Sequence, residues 1–125
     1  MENPFIRLQM ALGEAALRKL QSSHVAVFGI GGVGSYTAEA LARAGVGAIT
    51  LVDNDTVGVS NLNRQLCALH STLGKFKAEA IAERIRDINP DCQVRAICKL
   101  YTEEDKLEFF DTDYSYIADC IDLVS

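Results

Sequence analysis

A glycine-rich turn constrains the fold of this chain more than any other feature of its sequence. The residues GIGGVG at 29–34 follow the apolar segment HVAVF at 24–28 and precede a segment, 33–44, whose apolar residues recur at intervals of three and four. A short apolar run bounded by turn residues predicts a buried strand, and the spacing after the turn predicts a helix. The G-x-G-x-x-G pattern is meaningful in this setting, between a strand and the start of a helix. We therefore predict a strand–turn–helix unit.

Strand and helix signals alternate along the rest of the chain. Ahead of the turn, residues 5–21 have helical spacing and predict one helix. After the turn we predict, in order, a strand at 48–53, a short helix near 62–66, a helix at 75–88, a strand at 92–98, a short acidic helix after Thr102 and a strand at 114–120. Such alternation predicts an α/β fold, a Rossmann-like parallel sheet with helices on both faces.

The length and the end of the chain bear on its domain organisation. With 125 residues the chain is long enough for one domain. It ends five residues after the last predicted strand, and no helix follows to cover that strand. An open sheet ending there would expose an edge and a face. We therefore expect residues 1–125 to form the N-terminal part of a larger domain.

The composition excludes several classes of protein. The net charge is −5, and acidic residues concentrate after residue 100, in a stretch expected to be a solvated helix face. A protein that binds nucleic acid over a wide surface is usually basic, so any such contact must be local. The four cysteines form no C-x-x-C pair or zinc motif, and no segment resembles a signal peptide or a membrane span. We expect a cytoplasmic protein.

The glycine turn predicts a site for a phosphate-bearing ligand. Gly29 permits the tight turn, Gly31 lets a phosphate approach the backbone, and Gly34 allows the helix to pack closely on the strand. Together with Gly32, they place free N–H groups and the positive end of a helix dipole beside an anion. Asp53, at the end of the second strand, is placed to accept hydrogen bonds from ribose hydroxyls. These features predict a nucleotide and leave NAD, FAD and ATP open.

Polar residues that follow the predicted strands indicate which nucleotide is bound. They are Asp53, Asp55, Asn61, Asn63, Arg64, Lys77 and Asp122. The carboxyl ends of parallel strands line one crevice, so these side chains should share a pocket. A dehydrogenase has no need of an arginine and a lysine directed at phosphates together with a carboxylate for a metal. Adenylation uses both, because charge develops on the transferring phosphoryl group, and Asp122 suits Mg²⁺.

Six motifs in a fixed order extend this interpretation. The chain contains GIGGVGS, LVDNDTV, SNLNRQ, HSTLGKFK, INP and DCID, in that sequence. The series resembles the adenylating domain shared by the ubiquitin-activating enzymes and the molybdopterin and thiamine sulfur-carrier adenylyltransferases. The resemblance spans roughly residues 5–125 and implies a nucleotide-binding adenylation domain that uses ATP and Mg²⁺.

The resemblance also implies a role for each matching residue. Asp53 matches the ribose ligand, with Asp55 in the same nucleotide-binding segment, and Asn61 and Arg64 match phosphate contacts. The other matches are the phosphate-binding lysine at Lys77 rather than Lys75, the magnesium ligand at Asp122, and, at Arg7, an N-terminal arginine that such homodimers insert into the neighbouring subunit's ATP site.

The N-terminal segment distinguishes branches of this family. The segments RLQMALGE at 7–14, EALARAGVG at 39–47 and ALHSTLG at 68–74 are similar to the tRNA threonylcarbamoyladenosine dehydratases. Leu8 departs from that branch, which commonly has threonine there. The similarity implies a tRNA substrate whose threonylcarbamoyl carboxylate is adenylated by ATP, after which an internal nucleophile displaces AMP. We therefore do not expect a thioester on Cys67, Cys92 or Cys120.

Three other functions remain open from the sequence. A sulfur-carrier adenylyltransferase would activate the C-terminal Gly-Gly of a ubiquitin-like protein, with a sulfur-carrier or desulfurase partner, and a C-x-x-C pair beyond residue 125 would favour it. A nicotinamide-dependent dehydrogenase would bind NADH tightly and ATP not at all. A nucleotide-sensing module would bind ATP without turning it over.

Overall fold

The computed structural model describes residues 3–99, 104 and 113–121. The helices are α1 (Ile6–Leu12), α2 (Glu14–Gln21), α3 (Gly32–Arg43) and α4 (Lys77–Ile88), and the strands are β1 (His24–Phe28), β2 (Ala48–Val52), β3 (Gln93–Ile97) and β4 (Tyr116–Asp119). Two short 3₁₀ turns, Val59–Asn61 and His70–Thr72, lie in the connection between β2 and α4. The acidic helix predicted after Thr102 falls outside the described residues.

The four strands form one parallel sheet in the order β3-β2-β1-β4. Val25 of β1 pairs with Ile49 of β2 on one side and with Tyr116 of β4 on the other. The chain moves outward from β1 to β2 and β3 and then returns to the opposite side of β1. This reversal opens a crevice at the carboxyl ends of β1 and β4, which is where open α/β sheets bind ligands. The Rossmann-like α/β prediction is confirmed.

Helices α3 and α4 pack side by side on one face of the sheet. Small residues on α3, such as Ala38 and Ala42, and branched residues on α4, such as Ile81 and Ile85, meet the apolar side of β1 and β2. Each of these four residues is at most 1% exposed. On the other face, a second cluster joins Ala26, Phe28, Val52 and Ile97 with the ring of Tyr114. Apolar clusters on both faces therefore hold the sheet in position, and the site residues follow the ends of its strands.

Two sequence predictions of helices are wrong. The single helix predicted over 5–21 is broken at Gly13, whose φ of 93° lies in the left-handed region that glycine adopts without a steric penalty. The short helix predicted near 62–66 is replaced by the 3₁₀ turn Val59–Asn61. There the side-chain Oδ1 of Asn61 accepts a hydrogen bond from the Gly58 N–H, at 2.8 Å. Such local side-chain bonds compete with regular helix formation.

The connection between β2 and α4 is a long loop whose two ends are joined by backbone hydrogen bonds. The Lys77 N–H donates to the Asp55 carbonyl at 3.0 Å, and the Val57 N–H donates to the Lys75 carbonyl at 2.8 Å. Beneath the loop, Val57 and Cys67 are buried against the core. These contacts anchor the loop at both ends. None of the described helices combines the length and apolar character required to cross a bilayer.

Candidate functional site

The glycine turn is wedged between the ends of β2 and β4. The Gly29 N–H donates to the Val52 carbonyl at 2.8 Å, and Gly29 has a φ of +91°. A Cβ at Gly29 would lie 2.7 Å from backbone atoms of Cys120 and Ile121. Since real Cβ atoms do not approach a backbone so closely, only glycine fits. The turn and the end of β4 are thus held in direct contact.

The other glycines of the turn have different surroundings. A Cβ at Gly34 would lie 1.6 Å from the Gly29 carbonyl oxygen, so Gly34 is required for close packing of α3 on the turn. A Cβ at Gly31 would meet only the Gln65 Nε2, at 3.5 Å, and one at Gly32 would meet nothing within 4 Å. The protein's own packing therefore does not require glycine at 31 or 32.

The Asp53 carboxylate is fixed at the end of β2 by two backbone hydrogen bonds. Oδ2 accepts from the Ile30 N–H at 2.7 Å, and Oδ1 accepts from the Asp55 N–H at 2.6 Å. Each carboxylate oxygen can accept a further hydrogen bond. The first bond ties the glycine turn to β2, so the turn and the carboxylate form one rigid unit.

A cavity of about 370 Å³ opens at the carboxyl ends of β1, β2 and β4. Seven predicted site residues line it: Gly29, Gly31, Asp53, Asp55, Asn61, Arg64 and Lys77. Three others do not: Gly32 and Gly34 lie in the first turn of α3, and Arg7 is an exposed residue on α1. Asp122, the predicted magnesium ligand, lies outside the described residues, one position beyond the cavity-lining Ile121.

Lys77 is a buried lysine at the start of α4. Its side chain is 8% exposed, and Nζ lies 3.8 Å from Oδ2 of Asp55, whose side chain is 65% exposed. Lys75 instead pairs with Glu83 at the surface, where both side chains are about half exposed. The structure therefore places Lys77, and not Lys75, on the cavity wall. A lysine is rarely buried this deeply without an anionic partner.

Arg64 and Asn61 reach the cavity from the start of the long loop. An Arg64 guanidinium nitrogen donates to the Ser60 carbonyl at 2.9 Å and to Oδ1 of Asn63 at 3.2 Å. These bonds hold an exposed guanidinium against its own loop. Together with Lys77 and Lys99, Arg64 gives the cavity three cationic side chains, beside the carboxylates of Asp53 and Asp55. That charge distribution suits an anionic ligand.

Seven further residues line the cavity that the sequence did not predict as site residues. They are Phe28, Val52, Asn54, Gln65, Lys99, Cys120 and Ile121. Gln65 follows Arg64 directly, but the pattern does not show that its side chain turns inward. Lys99 comes from the loop after β3, and only the strand order brings that loop to the same edge. Cys120 and Ile121 are placed by pairing of β4 with β1.

The cysteines are free thiols rather than evident nucleophiles. All four are unpaired. Burial raises the pKa of Cys67, with the Lys77 charge opposing this effect and Asp53 reinforcing it. Burial likewise raises the pKa of Cys92. A raised pKa leaves less thiolate at neutral pH, so neither residue is activated for thioester formation.

The cavity offers carboxylates to a magnesium ion without a preformed metal cluster. Within the described part of the chain, no group of three or more His, Cys, Asp or Glu side chains is arranged to hold a metal. Mg²⁺ in nucleotide sites usually takes one or two carboxylates together with phosphate oxygens and water. The donor chemistry of Asp53 and Asp55, which line the cavity, fits that arrangement.

Comparison with known proteins places this geometry in a family. A tRNA threonylcarbamoyladenosine dehydratase of Bacillus subtilis is 50% identical over 124 residues, which cover 99% of this chain and 49% of that protein. The crystal structure of the Escherichia coli tRNA N6-threonylcarbamoyladenosine dehydratase TcdA in complex with ATP is similar with a TM-score of 0.92 and 48% identity, over 97% of this chain and 50% of that one. An adenylyltransferase and sulfurtransferase Uba4 of Lodderomyces elongisporus is less similar. It is 38% identical over 107 residues, which cover 86% of this chain and 23% of that protein.

The chain spans about half the length of the dehydratases that it matches. The model of the ThiF family matches residues 5–125, which include the glycine turn, the long loop and the end of β4. On that match, the chain belongs to the ThiF family.

Proposed function

We propose that this chain supplies the ATP site of a tRNA threonylcarbamoyladenosine dehydratase. The observation that carries the proposal is the cavity at the reversal of strand order, where the glycine turn meets Asp53, Arg64 and Lys77. The TcdA structure with ATP, at 48% identity, supports the choice of nucleotide. Residues 1–125 then act as the nucleotide-binding part of the adenylation domain.

The proposed roles follow from position in the cavity. Asp53 binds the ribose hydroxyls through its remaining acceptor capacity, and Gly31 lets a phosphate reach the backbone at the start of α3. Asn61, Arg64 and Lys77 bind the phosphate chain, with Asp55 as the neighbouring carboxylate. Mg²⁺, bound by Asp122 and phosphate oxygens, would supply further neutralisation of charge on the phosphates.

The proposed reaction has two steps. A carboxylate oxygen of the threonylcarbamoyl group attacks the α-phosphorus of ATP, and pyrophosphate leaves. Arg64 and Lys77 stabilise the charge that develops on the phosphoryl oxygens, which is where fixed cations are most effective. An internal nucleophile of the same modification then displaces AMP and closes a ring, so the nucleoside loses one water overall. No cysteine of this chain is required.

The proposal includes a homodimer and a cytoplasmic location. Arg7 lies on exposed helix α1, away from the cavity of its own chain, so a contact with phosphate would have to come from a neighbouring subunit. Mixing Arg7→Ala protein with Asp122→Ala protein should then restore part of the activity that each variant lacks. Absence of any restoration would remove the role across subunits. Four free thiols fit a reducing compartment.

The decisive test is a reconstitution with the purified full-length protein. Protein, ATP, Mg²⁺ and tRNA bearing threonylcarbamoyladenosine are incubated, the tRNA is digested, and the nucleosides are analysed by mass spectrometry. We expect an ATP-dependent loss of one water from the modified nucleoside. The control omits ATP, and a nucleoside of unchanged mass in the complete reaction would contradict the proposal.

The alternative is adenylation of the C-terminal Gly-Gly of a sulfur-carrier protein, with a desulfurase as a further partner. The similarity to Uba4 supports it, although the identity is lower than that to the dehydratases. ATP–pyrophosphate exchange that appears only on addition of a Gly-Gly carrier protein would favour this alternative. The proposed roles in the ATP site would be the same.

A further inference from the structure

Gln65 is a buried polar residue of the cavity wall, and the proposed function assigns it no role. It is only 9% exposed, and its side chain lines the cavity next to the glycine turn. Its main chain is fixed, because the N–H donates to the Asn61 carbonyl at 2.9 Å and the C=O accepts from the Ala68 N–H at 3.0 Å. Among the described residues no buried side-chain nitrogen or oxygen lacks a hydrogen-bond partner, so any end of this amide without one is accessible to solvent.

Cys67 lies against the oxygen end of the Gln65 amide. The Cys67 Sγ lies 3.7 Å from Oε1 of Gln65 and 3.8 Å from the Ile30 carbonyl oxygen. The thiol carries one hydrogen, which it can donate to either oxygen. With Oε1 directed to the thiol, the amide NH₂ of Gln65 points the other way. Among residues 3–99 and 113–121, no group accepts a hydrogen bond from that NH₂.

The NH₂ group is directed at the part of the turn that a phosphate can approach. Nε2 lies 3.5 Å from the position that a Cβ would take at Gly31. Gly31 follows Ile30, whose N–H binds Asp53, the proposed ribose ligand, at 2.7 Å. Because the ribose and the phosphate attached to it are neighbours in a nucleotide, we infer that this phosphate is the one that lies over Gly31. In ATP that is the α-phosphate, the group attacked during adenylation.

We propose that the Gln65 side-chain amide donates a hydrogen bond to the α-phosphate of the bound nucleotide, and that Cys67 holds the amide in the orientation this requires. The inference rests on the proposed ATP site and adds a contact at the reacting phosphorus. A neutral donor here binds the phosphate without placing a further cation beside Arg64 and Lys77. Cys67 is a positioning residue, since it acts through Gln65.

The test compares the affinities for adenosine, AMP and ATP by titration calorimetry. Gln65→Met keeps the length and apolar bulk of the side chain but removes the donor. We expect AMP and ATP to bind about tenfold more weakly or worse, with adenosine unchanged, because a hydrogen bond to a charged group is lost. Gln21→Met, at an exposed position on α2, is the matched control and should change none of the three affinities. Thermal melts confirm that each variant is folded.

A second pair of variants tests the orientation by Cys67. Cys67→Ala should weaken AMP binding less than Gln65→Met does, and Cys67→Ser, which keeps a donor, should restore most of the loss. A purely structural role of Cys67 would weaken adenosine and AMP equally, which would overturn the positioning claim.

Different results would contradict the proposed ATP site and the proposed role of Gln65. Wild-type protein that binds adenosine as tightly as ATP would contradict the ATP site itself. Wild-type protein that prefers ATP, combined with an unchanged AMP-to-adenosine affinity ratio in Gln65→Met, would overturn only the assignment of Gln65.

Discussion

Alanine substitutions at Gly34 and Gly31 should have different effects, although both residues lie in the same turn. We expect Gly34→Ala to lower stability and Gly31→Ala to weaken ligand binding. At Gly34 the new methyl carbon would lie 1.6 Å from the Gly29 carbonyl oxygen, whereas ordinary contacts lie beyond 3.4 Å. The backbone would have to move by about 1.8 Å, the difference between these two distances. Overpacking of this kind costs about 1–3 kcal/mol or more. For a domain of this size, each kcal/mol lowers the melting temperature by about 3–6 °C.

At Gly31 the same methyl group has space within the protein. It would meet only the Gln65 Nε2 at 3.5 Å, an ordinary contact, so the free energy of unfolding should fall by about 1 kcal/mol or less. A phosphate that approaches the Gly31 backbone would instead be held off by the methyl group. Loss of one charge-assisted hydrogen bond corresponds to at least about a tenfold weaker affinity for ATP.

The assay measures melting temperature and ATP affinity for both variants and the wild type. We expect Gly34→Ala to melt well below the wild type, and Gly31→Ala to melt near it while binding ATP at least about tenfold more weakly. Gly31→Ala protein that binds ATP normally would refute the assignment of the phosphate to this turn. A Gly34→Ala variant as stable as the wild type would refute the packing argument.

Three further predictions concern the buried lysine, the core and the pH dependence of stability. Lys77→Met should weaken ATP binding by at least about tenfold, while Lys75→Met, at an exposed ion pair, should leave it within about twofold; equal effects in calorimetry would contradict the proposed role. Ile49→Ala should lower the free energy of unfolding by about 2–5 kcal/mol in urea titrations, because Ile49 is 0% exposed, and a loss under 1 kcal/mol would be unexpected. Burial, assisted by the charge of Arg95, lowers the pKa of His24 below its ordinary 6.5. The neutral imidazole therefore contributes stability that is complete above pH 6.5 and is lost as the pH falls through the folded-state pKa, so His24→Asn should reduce the drop in melting temperature between pH 7.5 and 5.

Much of the fold was predictable because its signals are local. The run HVAVF predicted β1 at His24–Phe28, and the structure has the same bounds. The helix predicted at 75–88 is found at Lys77–Ile88, where Asn89 and Pro90 follow its end. The helix predicted over 5–21 was wrong because one glycine with a positive φ breaks it, and periodicity does not report backbone torsion.

The candidate site was predictable where residues follow strand ends closely. Asp53 and Gly31 belong to one strand–turn–helix unit, so their proximity follows from chain connectivity. The inward turn of Gln65 and the arrival of Lys99 depend on how distant segments pack, and no spacing in the sequence encodes that. Asp122 falls outside the described residues, so its role as a magnesium ligand stays a prediction.

The sequence by itself determined the alternation of strand and helix, the glycine turn and the chemical types of the site residues. These follow from apolar periodicity, from the backbone freedom of glycine and from the order of motifs, all of which act over short stretches of chain. The tertiary structure alone decided the strand order β3-β2-β1-β4, the burial of Lys77 and the position of the Gln65 side chain beside Gly31. Each of these depends on packing between segments that are distant in the sequence. That packing is driven by the removal of apolar surface from water and involves the folded chain as a whole.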